Sequence, residues 1–397
     1  MLRLREVEWQ PGHQIRLLEG GLAYLPALVA AIDAARHEVR LETYIFHRDR
    51  SGEWVLAALE RAATRGVAVF LLMDAHGTPP LSPVWVQRLQ QAGVQWRRYL
   101  PLGALGWLLP GRWRRLHRKL CVVDGRVGFC GGINLLDDFF ELGHGWQSQP
   151  RFDFALRIEG PLVHSMWTTM AQLWRRIHWV SALEEGWDRP APAPAESPQH
   201  ARGHRPGVAA ALVLRDNLRH RRAIERCYRQ AIARARHEVL IANAYFIPGA
   251  KLRKALVLAA QRGVRVCLLL PGRYEFFMQF HAGKPLYAEL LAAGIEIYEY
   301  RAAFLHAKVA VVDGHWLTVG SSNLDPFSLL LAREANVLVD DPVLGGVLRQ
   351  RILHAMASAA ERVHPHSMAA HNLWERLQDR VAYQLMRLTL ALTRKKY

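Results

Sequence analysis

One chemical string occurs twice in this chain, and that duplication limits what the chain can fold into. His117, Lys119 and Asp124 form an HxKxxxxD string, repeated at His306, Lys308 and Asp313. Lysine is scarce, seven residues against 45 arginines, yet two of the seven occupy this position. Each string runs into an apolar stretch, Leu120–Val123 or Val309–Val312. Each is followed by a small-residue turn with an asparagine, Gly131-Gly132-Ile133-Asn134 and Gly320-Ser321-Ser322-Asn323. The surroundings repeat as well. Ala35-Arg36-His37-Glu38-Val39 returns as Ala235-Arg236-His237-Glu238-Val239, and Arg65-Gly66-Val67 as Arg262-Gly263-Val264. A period of roughly 190–200 residues is far too long for a solenoid. It indicates two fused copies of one α/β domain.

Strand-like and helix-like stretches alternate through both copies, which predicts α/β lobes with central sheets. Pro26–Ala35 is predicted as a helix with its proline in the first turn, and Glu53–Arg65 as another. Val39–Phe46, Val67–Leu72, Leu120–Val123, Val127–Cys130 and Phe152–Ile158 are predicted strands. The helix Leu162–Ile177 closes the first lobe, with Trp167 and Trp174 on one core-facing side. The expected organisation is a first lobe over 1–183, a proline-rich linker over 184–207, a second lobe over 208–363 and a basic amphipathic helix over 364–397.

A formal net charge of +17 on 397 residues indicates a polyanionic partner, either nucleic acid or an anionic membrane, unless it reflects only an arginine-rich composition. Cys121, Cys130, Cys227 and Cys267 show no CxxC pairing, and are expected as reduced core residues, in keeping with a cytosolic face. No secretory signal and no uncharged apolar stretch of spanning length is evident, so the expectation is a soluble or peripheral protein. Two segments suit a headgroup interface. Leu102–Arg115 places Trp107 and Leu108 beside an arginine cluster, and Tyr274–His281 holds Phe276, Phe277 and Phe280. Ordinary loop packing is the alternative for both. The helix within Asn372–Tyr397 can dock on the protein's own core or on an anionic surface.

Residues two apart in a strand share a face, so each histidine projects beside its lysine. Imidazole plus ammonium suits a phosphoryl group: the ammonium binds its oxygens while the imidazole attacks or protonates. Two copies across a pseudo-twofold surround one phosphate, and Asn134 and Asn323 can donate further hydrogen bonds to it. One imidazole must be neutral to attack. The other must carry the proton that the leaving alkoxide takes. No HExxH, EF-hand or P-loop pattern occurs, so a covalent mechanism without metal or other cofactor is the expectation.

These residues resemble the phospholipase D superfamily, whose motif is HxKxxxxD followed by a Gly/Ser-rich turn and Asn. The resemblance runs from about Ile15 to Asp341. Within that superfamily the chain is similar to bacterial cardiolipin synthases. The strings that carry this are Glu42-Thr43-Tyr44-Ile45-Phe46, Asn243-Ala244-Tyr245-Phe246-Ile247-Pro248, His117–Asn134, and the run from Gly320 to Ser328. The short N-terminus, without two spanning helices, is like the B branch of those synthases. The resemblance implies two tandem lobes related by a pseudo-twofold, with one shared active site at their interface. It implies His117, Lys119, Asp124, His306, Lys308 and Asp313 as the catalytic set, with Asp124 and Asp313 supporting the site rather than touching substrate. Asn134 and Asn323 would bind the substrate phosphate with the lysines. Asp153 and Glu334 fall where family members place the carboxylate that orients each histidine. The implied reaction moves a phosphatidyl group from one phosphatidylglycerol to another through a phosphatidyl-histidine, with His117 as nucleophile and His306 as acid/base. The implied place is the cytoplasmic side of the cell membrane, in peripheral contact with anionic phospholipid; no nucleic-acid partner is expected.

Two rivals are weighed against this. A hydrolase or nuclease of the same superfamily fits the charge, but the Leu/Trp/Phe stretches beside each motif suit acyl chains better than a polar groove. A lipid-binding scaffold with a dead site would not need both complete strings.

Overall fold

The computed structural model describes residues 7–100, 114–185, 207–216, 220–273, 277–325, 332–364, 378–379, 381–382 and 384–385. Lobe one runs β1 (Gln10–Glu19), α1 (Gly20–Asp33), β2 (Glu38–Thr43), α2 (Arg50–Thr64), β3 (Ala68–Asp74), α3 (Pro83–Ala92), β4 (Gln95–Tyr99), β5 (Arg115–Leu116), β6 (Lys119–Val123), β7 (Val127–Gly131), β8 (Phe140–Glu141), β9 (Gly145–Trp146), β10 (Phe154–Glu159) and α4 (Leu162–Glu185). Lobe two runs β11 (Val208–Arg215), α5 (Ala223–Arg234), β12 (Glu238–Asn243), α6 (Ala250–Gln261), β13 (Arg265–Pro271), α7 (Phe277–Gly283), a 3-10 turn, α8 (Tyr287–Ala292), β14 (Glu296–Tyr300), β15 (Lys308–Val312), β16 (Trp316–Gly320), β17 (Ala332–Asp340), α9 (Pro342–Ala359) and β18 (Ala360–Arg362).

The two lobes share one sheet, and its strand order is a near palindrome. Outward from the middle, lobe one gives β1-β10-β7-β6-β2-β3-β4 and lobe two gives β11-β17-β16-β15-β12-β13-β14, with β18 added at its edge. The repeat in sequence is thus a pseudo-twofold in space. In each lobe three strands run parallel (β2-β3-β4 and β12-β13-β14), joined by helical crossovers, and the other strands of the main sheet path pair antiparallel. The middle strand of each trio, β3 or β13, carries apolar side chains on both faces because both faces are covered.

The apolar layer under α4 and α9 is continuous across the lobes. Leu120, Phe154, Val163 and Met166 from lobe one join Val309, Val319, Leu348 and Ile352 from lobe two. On the opposite face each lobe has a separate layer, under α1–α2 and under α5–α6. Each large buried side chain contributes roughly 1.5–3 kcal/mol, so separating the lobes would expose a costly surface. All four cysteines are free and buried.

The sheet closes where β1 meets β11, through the pairs Gln10↔Ala210 and His13↔Val208 with an irregularity between them. His13 is fully buried at this seam. Its Nδ1 lies 3.1 Å from the Val208 carbonyl, and the Leu162 amide at the start of α4 donates to its Nε2 at 3.0 Å. That pair of partners requires the neutral ring with its hydrogen on Nδ1. Burial accordingly lowers its pKa.

Two expectations need correction or placement. α1 begins at Gly20, six residues before the predicted start, so Pro26 lies inside the helix. The carbonyl that its missing N–H leaves unpaired belongs to Leu22, which is 69% exposed, so water can satisfy it. The linker beyond residue 185, most of Leu102–Arg115, Tyr274–Phe276 and most of the C-terminal segment lie outside the described residues. Phe280 packs within lobe two, with the Lys284 ammonium 4.5 Å from its ring centre. Of the C-terminal segment, Asp379 meets His281 at 2.6 Å, and Ala382 packs on Ile247, Ala282 and Leu286. At those residues the segment docks on lobe two, with Val381 and Leu385 facing outward.

Replacing His13 by leucine should lower the unfolding free energy by about 2 kcal/mol, measured by denaturant titration near neutral pH. The wild-type protein should also lose stability as pH falls below about 6.5, where the unfolded chain takes up a proton that folded His13 refuses. That slope should be shallower in the leucine variant.

Candidate active site

The residues ahead of each motif pair with the other lobe. Arg115 and Leu116 (β5) run parallel to Ala332 and Arg333 at the start of β17, and the His117 amide donates to the Arg333 carbonyl at 3.0 Å. In mirror fashion, Leu305 bridges Phe152, and the His306 amide donates to the Phe152 carbonyl at 2.9 Å. The residues that follow those carbonyls are Glu334 and Asp153.

Each imidazole therefore faces a carboxylate from the opposite lobe. His117 Nδ1 lies 3.1 Å from Glu334, and His306 Nδ1 lies 2.6 Å from Asp153 Oδ2. The Ser321 carbonyl stands 3.2 Å from the same Nδ1 of His117. A carbonyl only accepts, so that nitrogen carries the hydrogen and Nε2 keeps its lone pair. Burial presses the pKa of both rings down, that of His306 well below its ordinary value, with Lys308 adding to the effect.

The two carboxylates differ. Ser321 Oγ donates to Glu334 at 2.5 Å, and Arg215 is its cross-strand neighbour. Burial opposes ionisation of Glu334. The charges of His117 and Lys119 and the hydrogen bonds from His117 and Ser321 outweigh it, holding the carboxyl below the usual range. Arg215 is itself fully buried, and Glu334 and Asp325 help it keep its charge against desolvation. Lobe one has Gly132 in place of Ser321 and Gly20 in place of Arg215. A Cβ on Gly132 would collide with the Asp153 carboxylate. Burial pushes Asp153 up to about 7.

Both lysines fold back onto their own motif. Lys119 Nζ donates to the His117 carbonyl at 2.9 Å, and Lys308 Nζ to the His306 carbonyl. Burial, with the charge of Lys308 beside it, brings the Lys119 ammonium down to about 7. Two desolvated ammonium groups this near each other favour an anion between them. Asn134 Oδ1 accepts from the Ile45 amide at 3.3 Å, which leaves its NH2 end to donate. Asn323 is buried at the matching turn.

Asp124 and Asp313 do not join this group. Each stands past the far end of its strand, about 16 Å along the chain from its lysine. Asp124 accepts from the amides of Arg36, His37 and Glu38 at 2.8–2.9 Å, and Asp313 from those of Arg236, His237 and Glu238. Both sit in the left-handed region, φ 51° and 49°. They tie the strand end to the turn before β2 or β12, so within the expected catalytic set these two are structural supports, apart from the imidazoles and lysines.

Several neighbours were not legible as site residues. The Tyr44 ring meets His117 edge-on at 4.8 Å and lies 5.3 Å from Lys119 Nζ. Arg118 points to the other face of the sheet and grips Glu42 with two bonds of 2.9 Å. Lobe two has Ala307 and Ala242 there instead. Alternation along the strand was the available signal for Arg118. Nothing in the sequence marked Ser321 beyond its membership of the turn. Among the described residues no cluster of three His, Cys, Asp or Glu side chains could hold a metal ion.

A family described as cardiolipin synthase, PLD-like domain, matches residues 28–146 and 228–356, one stretch in each lobe. The chain belongs to this phospholipase D-like cardiolipin synthase family. It is 38% identical over 380 residues to cardiolipin synthase B of Salmonella typhi, covering 96% of this chain and 89% of that one. Against cardiolipin synthase B of Escherichia coli K12 the identity is 37% with the same coverage. This family member is accordingly a phosphatidyltransferase. Phosphatidylserine synthase from Haemophilus influenzae shares its fold, with a TM-score of 0.68 at 14% identity over 96% of this chain and 94% of that one.

Asp124→Ala should lower the stability of the family member by about 2–4 kcal/mol in thermal or denaturant unfolding, because three backbone amides lose a charged acceptor. The fraction that stays folded should keep near-normal turnover. A hundredfold loss of turnover in fully folded protein would return Asp124 to the chemistry.

Proposed function

We propose that the enzyme transfers a phosphatidyl group from one phosphatidylglycerol to a second, giving cardiolipin and glycerol through a phosphatidyl-histidine. The supporting observation is the inequivalence of the two crossed His–carboxylate pairs. His117 donates its Nδ1 hydrogen to Glu334 and Ser321 and keeps a free lone pair on Nε2, as a nucleophile requires. In the other pair one proton more is held near neutral pH, since burial pushes Asp153 up to about 7. That proton belongs to the pair. Whichever partner formally carries it, the 2.6 Å contact needs only one hydrogen, so Nε2 of His306 bears the other. His306 is then the acid.

In the first step His117 Nε2 bonds to phosphorus, the bond from phosphorus to the glycerol oxygen breaks, and that oxygen takes the proton from His306. In the second, His306 removes the proton from a hydroxyl of the incoming phosphatidylglycerol. Its oxygen bonds to phosphorus and His117 departs. Lys119, Lys308, Asn134 and Asn323 hold the phosphate oxygens and offset the charge that builds there. One phosphodiester replaces another, so no nucleotide is consumed. Water in place of the second lipid would give phosphatidate, which makes exclusion of water part of the task. The donor is an anionic phospholipid, and the enzyme meets it by peripheral contact at the cytoplasmic face of the cell membrane. A charge of +17 supports such contact. No helix among the described residues is long and apolar enough to cross a membrane.

Purified protein with labelled phosphatidylglycerol in mixed micelles, with EDTA and without nucleotide, should yield cardiolipin and free glycerol. His117→Ala and His306→Ala should each cut turnover by about 10³-fold or more without unfolding the protein. Label should be trapped on His117 when enzyme is in excess over phosphatidylglycerol and the mixture is quenched rapidly. Phosphatidate as the sole product would make the enzyme a hydrolase, and no lipid turnover would favour a nuclease.

The pH profile offers a separate check. Rate should fall above about pH 7 as the Asp153–His306 pair gives up its proton. Ser321→Ala removes the hydroxyl from Glu334, and should move the acid limb up by about 1 pH unit. Ser321→Thr should restore it. A uniform loss at every pH would leave Ser321 a packing residue only.

A further inference from the structure

Between β7 and β10, lobe one carries a short hairpin, β8–β9, that the site itself does not use. Its strands pair through Phe140↔Trp146 and Glu141↔Gly145. Trp146 is 67% exposed and Leu142 39% exposed. The hairpin is braced rather than loose. Arg151 grips Glu141 with bonds of 3.1 and 2.7 Å and donates to the Phe140 carbonyl at 2.7 Å. The His47 ring stacks on Phe140 at 5.1 Å, and the Trp146 ring meets Phe140 edge-on at 5.5 Å.

Its position follows from the same contacts. The His144 ring at the tip lies 5.0 Å from Phe304, two residues before His306. The root, Arg151, is two residues before Asp153. The hairpin therefore stands beside the catalytic pair of His306 and Asp153.

Its charge is one-sided. Glu141 is buried against Arg151, and Asp138 is buried and accepts from the Gly21 amide. Asp49 caps α2 through the Gly52 amide, and half-buried Asp137 takes the Phe139 amide and the Ser51 hydroxyl. Arg48, next to the His47 that supports the hairpin, and Arg50, the first residue of α2, are exposed. A single exposed apolar residue needs no explanation. Here a tryptophan and a leucine are exposed on a braced hairpin whose supporting segment carries two exposed arginines, on a chain of net charge +17. Tryptophan favours the headgroup level of a bilayer, and arginines near an anionic surface add about 1 kcal/mol each.

We propose that the β8–β9 hairpin docks the enzyme on an anionic bilayer. Trp146 and Leu142 enter the headgroup region, Arg48 and Arg50 meet lipid phosphates, and the mouth of the site is held over its donor lipid. This rests on the phosphatidyl-transfer reading for its purpose, but binding can be measured without turnover.

The test uses the full chain and co-sedimentation with phosphatidylcholine vesicles, with and without phosphatidylglycerol. Trp146→Ala and Leu142→Asn together should weaken binding to the anionic vesicles by about tenfold or more. Leu142→Asn alone, which leaves the ring contacts intact, should produce part of that loss with an unchanged melting temperature. Arg48→Gln with Arg50→Gln should weaken binding only where phosphatidylglycerol is present. Turnover of a short-chain phosphatidylglycerol dispersed as monomers should be unaffected in all three, while turnover on vesicles falls. Unchanged vesicle binding would overturn the proposal. So would normal binding of the hairpin variants combined with loss of binding on truncation after Asn372, which would assign docking to the C-terminal segment. Equal loss on monomers and vesicles would overturn it too, by making the hairpin part of the catalytic pocket. Wild-type protein that binds anionic vesicles through the hairpin yet turns over neither lipid form would sink the transfer reading and leave the docking surface standing.

Discussion

Each imidazole in this enzyme is held by a carboxylate that the other half of the chain supplies. The pairing is fixed twice over, by the Nδ1–carboxylate contacts and by the amide of each histidine bonded to the carbonyl just ahead of that carboxylate. Neither lobe contains a complete site. The shared apolar layer beneath α4 and α9 and the neutral His13 at the sheet's seam matter chemically because they hold these two contacts in register. A shift of 1 Å at such a contact is enough to spoil proton transfer.

Symmetry alone would make the two histidines interchangeable, whereas the proposed two-step transfer needs them to differ. The difference lies beside the carboxylates rather than in the motifs. Ser321 and Arg215 attend Glu334, while two glycines, Gly132 and Gly20, occupy the matching places near Asp153. An added donor and an added cation favour the charged carboxylate; their absence in a dry site favours the proton. The duplicated strings repeat the same imidazole and ammonium, and unduplicated neighbours give each carboxylate its own surroundings.

Much of the architecture was legible because its causes are local. Alternating strand and helix patterns gave two lobes, and the repeat gave their relation. The lysine two residues after each histidine shares its face by strand geometry alone. What could not be read depended on where chain ends meet. The sequence placed Asp153 and Glu334 downstream of the motifs, but not which histidine each would face. Asp124 and Asp313 looked catalytic because they belong to the string, while a five-residue strand carries them to the opposite end of the sheet. Pro26 suggested a helix start, yet an exposed turn lets the helix run through it. The hydroxyl of Ser321 had no signal beyond its membership of a small-residue turn, since its partner Glu334 is 13 residues away on the next strand.

Crossed pairing also governs when the enzyme can first act. During synthesis His117 and Lys119 emerge with most of lobe two still unmade. The nascent first lobe has His117 but lacks Glu334, Ser321 and the second imidazole. Without the Ser321 carbonyl and Glu334, nothing fixes the tautomer of His117. A half-made or clipped chain thus carries no complete His–carboxylate pair. Both pairs are complete only where β17 lies against β5 and Glu334 reaches the ring of His117.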